Sequence, residues 1–554
     1  MSVNYADETR HCDVLVVGSG GAALSAALRA ASAGLSVIVA EKSAWLGGTT
    51  AMSGGATWVP ANHHAKAAGL ADSPEEALRY LTASAPEGWA ATESELWQAF
   101  AESAGEMLQF IERQTPLRFA LTPEADPLHH LPGAKAQGRM VAPLPLRAST
   151  LRGQRWAIRP SPLPQLFTYH ETIGLDIWHH PLRESLRMAP KLAWRALTRT
   201  RTKGAALIGG LLEGCRRLGC QVETQARVET LVTSAEGRVT GALINQEGRL
   251  LQILTTRGVV LACGGFEWDA QRRNLHFPGN TDFIASPRSN SGDGHRMAEA
   301  IGAQLAHMDQ ATIGGGIPSR YLGESYGLSV FFQYEPDAIL VNKRGQRFVN
   351  EFTFNLGEAL DARQPDGSPE QLPVWMIADG GLLRRSPLLR YYAWRSRGWL
   401  RKAPTLTALA AQIAIPAEAL TASVTRFNGF CLGGEDGDFQ RHLSSAHGKS
   451  DKRLRGGLLP IERAPFLAIP FNRTFLATKG GPRTDRYGRV MHKNGSVIPG
   501  LFCAGVAMAN PIGTRAVGAG TTLGPNLTWG YICGRTLAEG VPENAQTEAL
   551  PCTA

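Results

Sequence analysis

The 554-residue sequence predicts an α/β fold, with one large domain built around a parallel sheet from both ends of the chain and an α+β domain inserted between them. Three observations carry that expectation. Residues 13–41 read as strand, glycine turn, helix, strand and acid within about thirty residues. Apolar strand-like runs and glycine turns return over 222–266, and a glycine turn entering a helix returns over 518–537. Between them, residues 285–465 alternate two-residue and helical periods without that logic. The expected division is therefore 1–284 and 466–554 in the first domain and 285–465 in the second.

The opening unit is Rossmann-like. After Asp13 the apolar run 14–17 suits a strand buried on both faces. Gly18, Ser19 and Gly20 turn the chain, Gly21 and Ala22 open an Ala-rich helix, and Gly34 ends it. Gly18 supplies the sharp turn, Gly20 lets a pyrophosphate approach the backbone at the helix N-terminus, and Ala23 keeps helix and strand close. A second apolar run, 35–39, leads to Glu41, placed to accept hydrogen bonds from a ribose and to repel a 2′-phosphate. The unit predicts a bound dinucleotide. Beyond it come Lys42, then Gly47, Gly48, Thr49 and Thr50, then Ser53, Gly54 and Gly55, two small-residue turns suited to backbone contact with a planar ring and a ribityl chain.

Composition narrows the class. Lys and Arg number 57 against 48 Asp and Glu, a net charge of +9, yet no aromatic-interleaved basic motif, zinc-finger spacing or RNA-recognition signature occurs, so nucleic acid is not an expected partner. Eight scattered cysteines (Cys12, Cys215, Cys220, Cys263, Cys431, Cys503, Cys533 and Cys552) form no CxxC pair and read as reduced thiols, not a disulfide framework or metal site. The N-terminus lacks a signal-peptide core, and no run of 18 apolar residues occurs. The expectation is a cytoplasmic protein, either free or peripheral to the inner face of the membrane.

In chain order, Ser73-Pro74 caps a helix, and 93–112 continues helically with Leu96, Trp97, Phe100, Met107, Phe110 and Ile111 on a core face. Residues 115–147 are rich in Pro and His and read as a long surface loop; His129-His130 has no partner at metal-ligand spacing, so no metal is expected. Residues 183–203 are basic with apolar residues between the charges, a pattern that suits either an anionic membrane surface or a solvated helix over its own domain. Pro190 predicts a kink or break there. A helix through Leu218 precedes a strand at 222–232, with Gly237 and Gly248 as hairpin turns. Residues 258–262 form another buried strand before Gly264 and Gly265, and Asp293 stands in a further glycine turn. Residues 338–351 predict two strands about a turn at Arg344-Gly345. Near the C-terminus, 498–505 is a strand ending at Gly505, and the turn 518–525, with Thr522 and Leu523, starts a helix whose positive end can stabilise a reduced ring.

Nearly the whole chain resembles the 3-ketosteroid dehydrogenase branch of the fumarate reductase and succinate dehydrogenase flavoprotein superfamily. The carrying stretches are VVGSGGAALSAAL, EKSAWLGGTTAMSGG, VNKRGQRFVNE, RFNGF, TKGGPRTD, IPGLFCAG and GAGTTLGPNLTWGYICGR. The resemblance implies FAD bound through the turns above, with the backbone at Arg227-Val228 against the adenine edge, and an inserted domain capping the flavin. Because no histidine stands at the GGTT loop, the FAD is expected to be non-covalent. The implied reaction is desaturation of a hydrophobic cyclic ketone, most simply a 3-ketosteroid, with a quinone or carrier as electron acceptor.

The family's catalytic tyrosines do not transfer. The stretch 352–355 after Asn350-Glu351 holds no tyrosine, and the other two places hold Ala516 and the 128–130 loop, whereas Gly520 matches the family's backbone donor to the ketone. Tyr334, ahead of the 338–351 hairpin, is the expected base in their place, with Tyr326 as the other choice, and Arg515 can bind an oxyanion or carboxylate. Two alternatives stand beside the ketone dehydrogenase. One is a fumarate- or urocanate-type alkene reductase, although that family's arginines would fall at Asn355 and Ala516. The other is a flavoprotein whose surface serves assembly or membrane attachment.

Overall fold

The computed structural model describes residues 6–151, 157–163, 165–444 and 457–542; Cys552 lies outside them. Its central sheet runs in the order Arg489–Met491, Val497–Cys503, Arg249–Leu261, Glu8–Val17, Val37–Ala40, Gln221–Glu223. Every neighbouring pair is parallel except the outermost, Arg489–Met491 with Val497–Cys503. The first apolar run therefore sits mid-sheet: Val14 aligns with Val37 on one side and Gly258 on the other, and Val14, Leu15 and Val16 are wholly buried. Strands far apart in sequence share this sheet because only a strand covered on both faces accommodates an unbroken apolar run.

The covering helices explain the small residues. Helix Gly21–Ala31 packs along Leu523–Glu539. A Cβ on Gly530 would lie 2.1 Å from Ala22 O, and one on Gly534 2.6 Å from Ala26 O. These glycines, four apart on one helix face, let the two backbones touch, which the GYICGR run makes possible.

Away from this centre a four-stranded sheet (Ala338–Val341, Trp375–Ala378, Phe466–Pro470, Arg401–Ala403) has a core on each face. Phe466–Pro470 is an inner strand of that sheet, pairing with Trp375–Ala378 and Arg401–Ala403. The expected boundary at 466 falls at the start of this strand. Helix Asp293–Ala300, just inside the expected 285–465 segment, packs on Ala226–Thr233.

Four local expectations differ. The 222–232 strand is two, Gln221–Glu223 in the parallel sheet and Ala226–Thr233 in an antiparallel meander, because Gln225 adopts φ +56° between them. The 115–147 stretch is not a surface loop. Its strands Phe119–Leu121 and Met140–Pro143 join Thr57–Trp58, and fully buried Arg139 pairs with Asp72 at 2.7 Å and Asp126 at 2.9 Å. After Gly345 the second arm of the 338–351 hairpin forms only a bridge at Arg347, whose guanidinium is drawn to Glu351 and Asp436. Helix Pro181–Leu197 continues past Pro190 as one element, without the expected break. Proline removes one N–H, and the carbonyl of Leu186 that would have received it belongs to an exposed residue that water can reach.

Candidate functional site

The parallel strands end at a cleft enclosing about 1120 Å³ between atoms, open solvent at its mouth included. One end is lined by Glu41, Lys42, Asp293 and the Ala226–Val228 backbone. The middle is lined by Gly18 to Ala22 with Gly48, Thr49 and Thr50. The far end is lined by Thr312, Leu476, Gly505, Thr522 and Leu523. Gly18 takes φ +103°, and a Cβ there would meet Ala262 O at 2.6 Å, so strand and turn close on each other only with glycine.

Side chains tie the two turns together. Ser19 Oγ donates to buried Glu41 Oε2 at 2.7 Å and accepts from Gly47 N at 2.9 Å. Thr50 Oγ1 accepts from Gly21 N at 3.2 Å, and the Ser43 N–H reaches Glu41 Oε1 at 2.9 Å. Lys42 Nζ donates to Asp293 Oδ2 and Ser291 Oγ, both at 2.8 Å. Burial, the largest influence on Asp293, favours its neutral form, but the Lys42 hydrogen bond and charge, with Arg227 and Arg296, hold the carboxyl below its usual range.

Of the expected contacts, Ala23, Gly47, Gly54, Gly55 and Gly265 do not line the cleft; they shape it from behind. Ala23 is wholly buried, and a Cβ on Gly47 would strike Ile208. A Cβ on Gly54 would lie 3.1 Å from Tyr169, one on Gly55 2.9 Å from the Lys203 backbone, and one on Gly265 2.3 Å from Thr478 Oγ1. The remaining expected contacts, Ser53, Arg227, Val228 and Gly264 among them, do line it.

Sequence reasoning missed Glu267. This buried carboxylate accepts from Ser286 Oγ (2.6 Å), Asn290 Nδ2 (2.7 Å), Thr478 N (3.1 Å) and Thr478 Oγ1 (3.1 Å). Asn290 reaches on to Thr49 Oγ1 at 3.1 Å, so Glu267 joins the 264–267 turn, the GGTT turn and the C-terminal return. Lys479 was also missed. It is almost wholly buried, its Nζ donates to Gly513 O at 2.6 Å, and burial pushes its pKa down to about 8. An acid or a lysine inside a glycine-turn motif is the only sequence signal for either.

The catalytic candidates scatter. Tyr334 is not among the cleft residues; its ring stacks on Phe331 and meets Phe352 edge-on, and burial pushes its hydroxyl pKa up. Tyr326 donates to Ala285 O at 2.6 Å. Arg515 does not stand free for a ligand: Nε meets Glu358 at 2.9 Å and Nη1 donates to Ser84 O at 3.0 Å. Asn355 bonds both backbone groups of Ala516, where the resemblance leaves a tyrosine missing, through Oδ1 (2.7 Å) and Nδ2 (3.1 Å). Gly520 stands at φ +88°, partly exposed, two residues before Thr522, and its N–H donates to no acceptor among the described residues. A side chain there would meet Ala56 O at 2.3 Å, so a bulky replacement distorts the 56–57 backbone as well as blocking a ketone.

Tyr169, against Gly54, donates to Glu124 Oε1 at 3.0 Å, and Thr122 Oγ1 donates to Glu124 Oε2 at 2.9 Å. Burial, then the Glu124 charge, raise the Tyr169 pKa; burial also raises Glu124 despite its two donors. His129 and His130 are exposed. His63 and His64 instead share Glu112 Oε2, at 2.6 and 3.0 Å, and this is the one group among the described residues with metal-ligand spacing.

The cradle fits FAD. An acid stands at the ribose end, a glycine turn and helix N-terminus in the middle, and the N-terminus of the 17-residue helix Leu523–Glu539 at the ring end. Comparisons agree over nearly the whole length. The chain matches the FAD binding domain family over residues 13–523. It is 36% identical to 4-oxocyclohexanecarboxylate 2-dehydrogenase of Sinomonas cyclohexanicum, covering 95% of this chain and 92% of the relative. It is 33% identical to 3-oxosteroid 1-dehydrogenase of Mycobacterium tuberculosis, covering 95% and 98%. The crystal structure of 3-ketosteroid delta1-dehydrogenase from Sterolibacterium denitrificans in complex with 1,4-androstadiene-3,17-dione superposes with a TM-score of 0.82 at 32% identity, covering 96% and 99%. The chain belongs to the FAD binding domain family, together with the 3-oxosteroid and 4-oxocyclohexanecarboxylate dehydrogenases.

Proposed function

We propose that the protein is an FAD-dependent dehydrogenase that introduces a C=C bond next to the carbonyl of a cyclic ketone, with a 3-ketosteroid as first candidate and a monocyclic oxo acid as second. The observation that carries this reading is the Gly520 N–H, which has no acceptor within the described residues and stands beside the ring end of the cleft. A backbone donor so placed suits a carbonyl oxygen that gains negative charge as the neighbouring carbon loses its proton. Desaturation takes a proton from the α carbon and a hydride from the β carbon, and FAD, when bound, supplies the hydride acceptor.

The chain's own part is to hold the cofactor, hold the ketone and take the proton. Glu41, the Gly18–Ala22 turn and Thr49-Thr50 hold FAD without a covalent bond, and the backbone of residues 226–228 flanks its adenine. Gly520 holds the ketone oxygen. For the base we move from Tyr334, whose ring is packed among phenylalanines, to Tyr169 with Glu124, which stand against the 53–55 turn. Tyr169 takes the α proton as its own passes to Glu124, whose raised pKa makes it a ready acceptor. The large domain is a discontinuous Rossmann-like unit, and the segment around the four-stranded sheet is its substrate cap. A quinone or carrier removes the electrons.

The test is turnover with an artificial electron acceptor, scored by mass spectrometry for products two hydrogens lighter than the ketone. Tyr169→Phe should slow turnover about 100-fold while FAD stays bound, and Tyr334→Phe should not. Conversion of unsaturated acids, with no saturated ketone consumed, would favour the alkene reductase instead.

A further inference from the structure

Helix Pro181–Leu197 is turned the wrong way for a helix that only covers its own domain. Its buried residues are charged: Glu184 and Arg195, the latter pairing with Glu171 and donating to Leu166 O at 2.7 Å. Four large apolar residues face outward, Leu182, Leu186 and Leu197 each 75–79% exposed and Trp194 54% exposed, while Met188 and Leu192 are half-buried. At 100° per residue the three leucines fall within one narrow arc, and Arg183, Arg187 and Lys191 line the arc beside it.

A second helix repeats the pattern. Pro387–Arg395 exposes Tyr391 and Trp394, with Arg390 and Arg395 beside them. The two helices start from one anchor: buried Glu335 receives His179 Nε2 at 3.1 Å, just ahead of the first, and the Ser386 hydroxyl, just ahead of the second. Residues 181–203 and 382–402 together hold fourteen basic residues and one acid, an excess larger than the whole chain's +9. The positive charge of the protein is therefore gathered around these exposed apolar side chains, and the rest of the chain is net acidic.

We propose that these two helices form a docking face for an anionic lipid bilayer, lying in the plane of the interface with the leucines and tryptophans in the acyl boundary and the arginines among the headgroups. Charge complementarity selects an anionic surface, and the exposed leucines select a bilayer over a nucleic acid, which would leave them in water. No helix among the described residues is long and apolar enough to cross a membrane, which is consistent with an in-plane contact. The segments flanking the first helix are tied to the cofactor loop: Gln165 Nε2 donates to Ala51 O (3.0 Å) and Ser53 O (3.2 Å), and Thr202 Oγ1 donates to Gln165 O at 2.6 Å.

The test is sedimentation of the FAD-loaded protein with vesicles of phosphatidylcholine alone or with one-third phosphatidylglycerol. Binding to the anionic vesicles is expected, falling at least tenfold between low and high salt as the headgroup charge is screened. The double variant Leu186→Asp/Leu197→Asp, at two exposed positions outside the cleft, should lose at least tenfold in binding while keeping bound FAD and its melting temperature. Brominated lipid should quench a part of the tryptophan fluorescence that Trp194→Phe removes. Equal binding to both vesicles, no binding, or binding unchanged in the double variant would overturn the proposal. A dimer that the double variant dissolves without any vesicle binding would assign the face to a second copy, and salt-sensitive capture of DNA that the double variant leaves intact would assign it to nucleic acid.

Discussion

Replacing Glu267 tests how the cleft is held together. Four donors converge on its carboxylate, and three of them cannot adapt. The Thr478 N–H is backbone, and the Asn290 amide is also committed to Thr49. The Thr478 hydroxyl cannot turn freely either, since it already accepts from Phe266 N at 2.7 Å. In Glu267→Gln one oxygen becomes an NH₂ donor. Set toward Ser286, whose hydroxyl can rotate to accept, it still faces the Asn290 donor, so about one charge-assisted hydrogen bond is lost, roughly 1.5–3 kcal/mol. Glu267→Ala leaves the Asn290 amide and both Thr478 donors without their acceptor in a buried site and should cost above about 4 kcal/mol. The assay is urea unfolding followed by the rise of released-flavin fluorescence, with FAD affinity measured separately. The expected order is wild type, then Gln, then Ala, with FAD affinity falling in parallel because Asn290 and Thr49 line the cleft. A Gln variant with wild-type urea midpoint and FAD affinity would refute the reasoning.

Further outcomes are expected. Gly18→Ala should yield colourless protein, since the new methyl meets Ala262 O and φ +103° is strained for alanine; a yellow variant with normal FAD affinity would count against the turn geometry. Glu41→Ala should weaken FAD binding and free Ser19, and acid-precipitated wild type should leave all its flavin in the supernatant; flavin remaining on the peptide would end the non-covalent assignment. Lys479 has a folded pKa near 8 against 10.5 when free, so between those pH values the unfolded chain holds a proton the folded one has released. Stability should rise with pH across that window by up to about 3 kcal/mol, and Lys479→Met should flatten the rise; an unchanged slope would place the titration elsewhere.

What was legible in the sequence is what local physics enforces. The Asp13 strand, the Gly18 turn and Glu41 follow from apolar runs and glycines whose reasons lie within about thirty residues. The FAD cradle was legible with them. Glu267 was not, because nothing near it announces that Ser286, Asn290 and Thr478 will converge on its oxygens. Arg139 misled in the same way: a Pro- and His-rich stretch looks solvated until Asp72 and Asp126 close on the guanidinium from elsewhere. Pro190 broke no helix, and the residue whose carbonyl it deprives, Leu186, is exposed to water. Tyr334 was chosen for its residue type and its place ahead of the 338–351 strand, and neither shows where a ring points.

The central claim is tested most directly by mixing the oxidised protein anaerobically with saturated cyclic ketones and following flavin absorbance. The account predicts that a 3-ketosteroid or a 4-oxocyclohexane carboxylate bleaches the flavin, with one enone formed per flavin reduced and a slower rate when the abstracted hydrogens are deuterium. Flavin that stays oxidised with every ketone, yet is reoxidised by an activated alkene after chemical reduction, would contradict it.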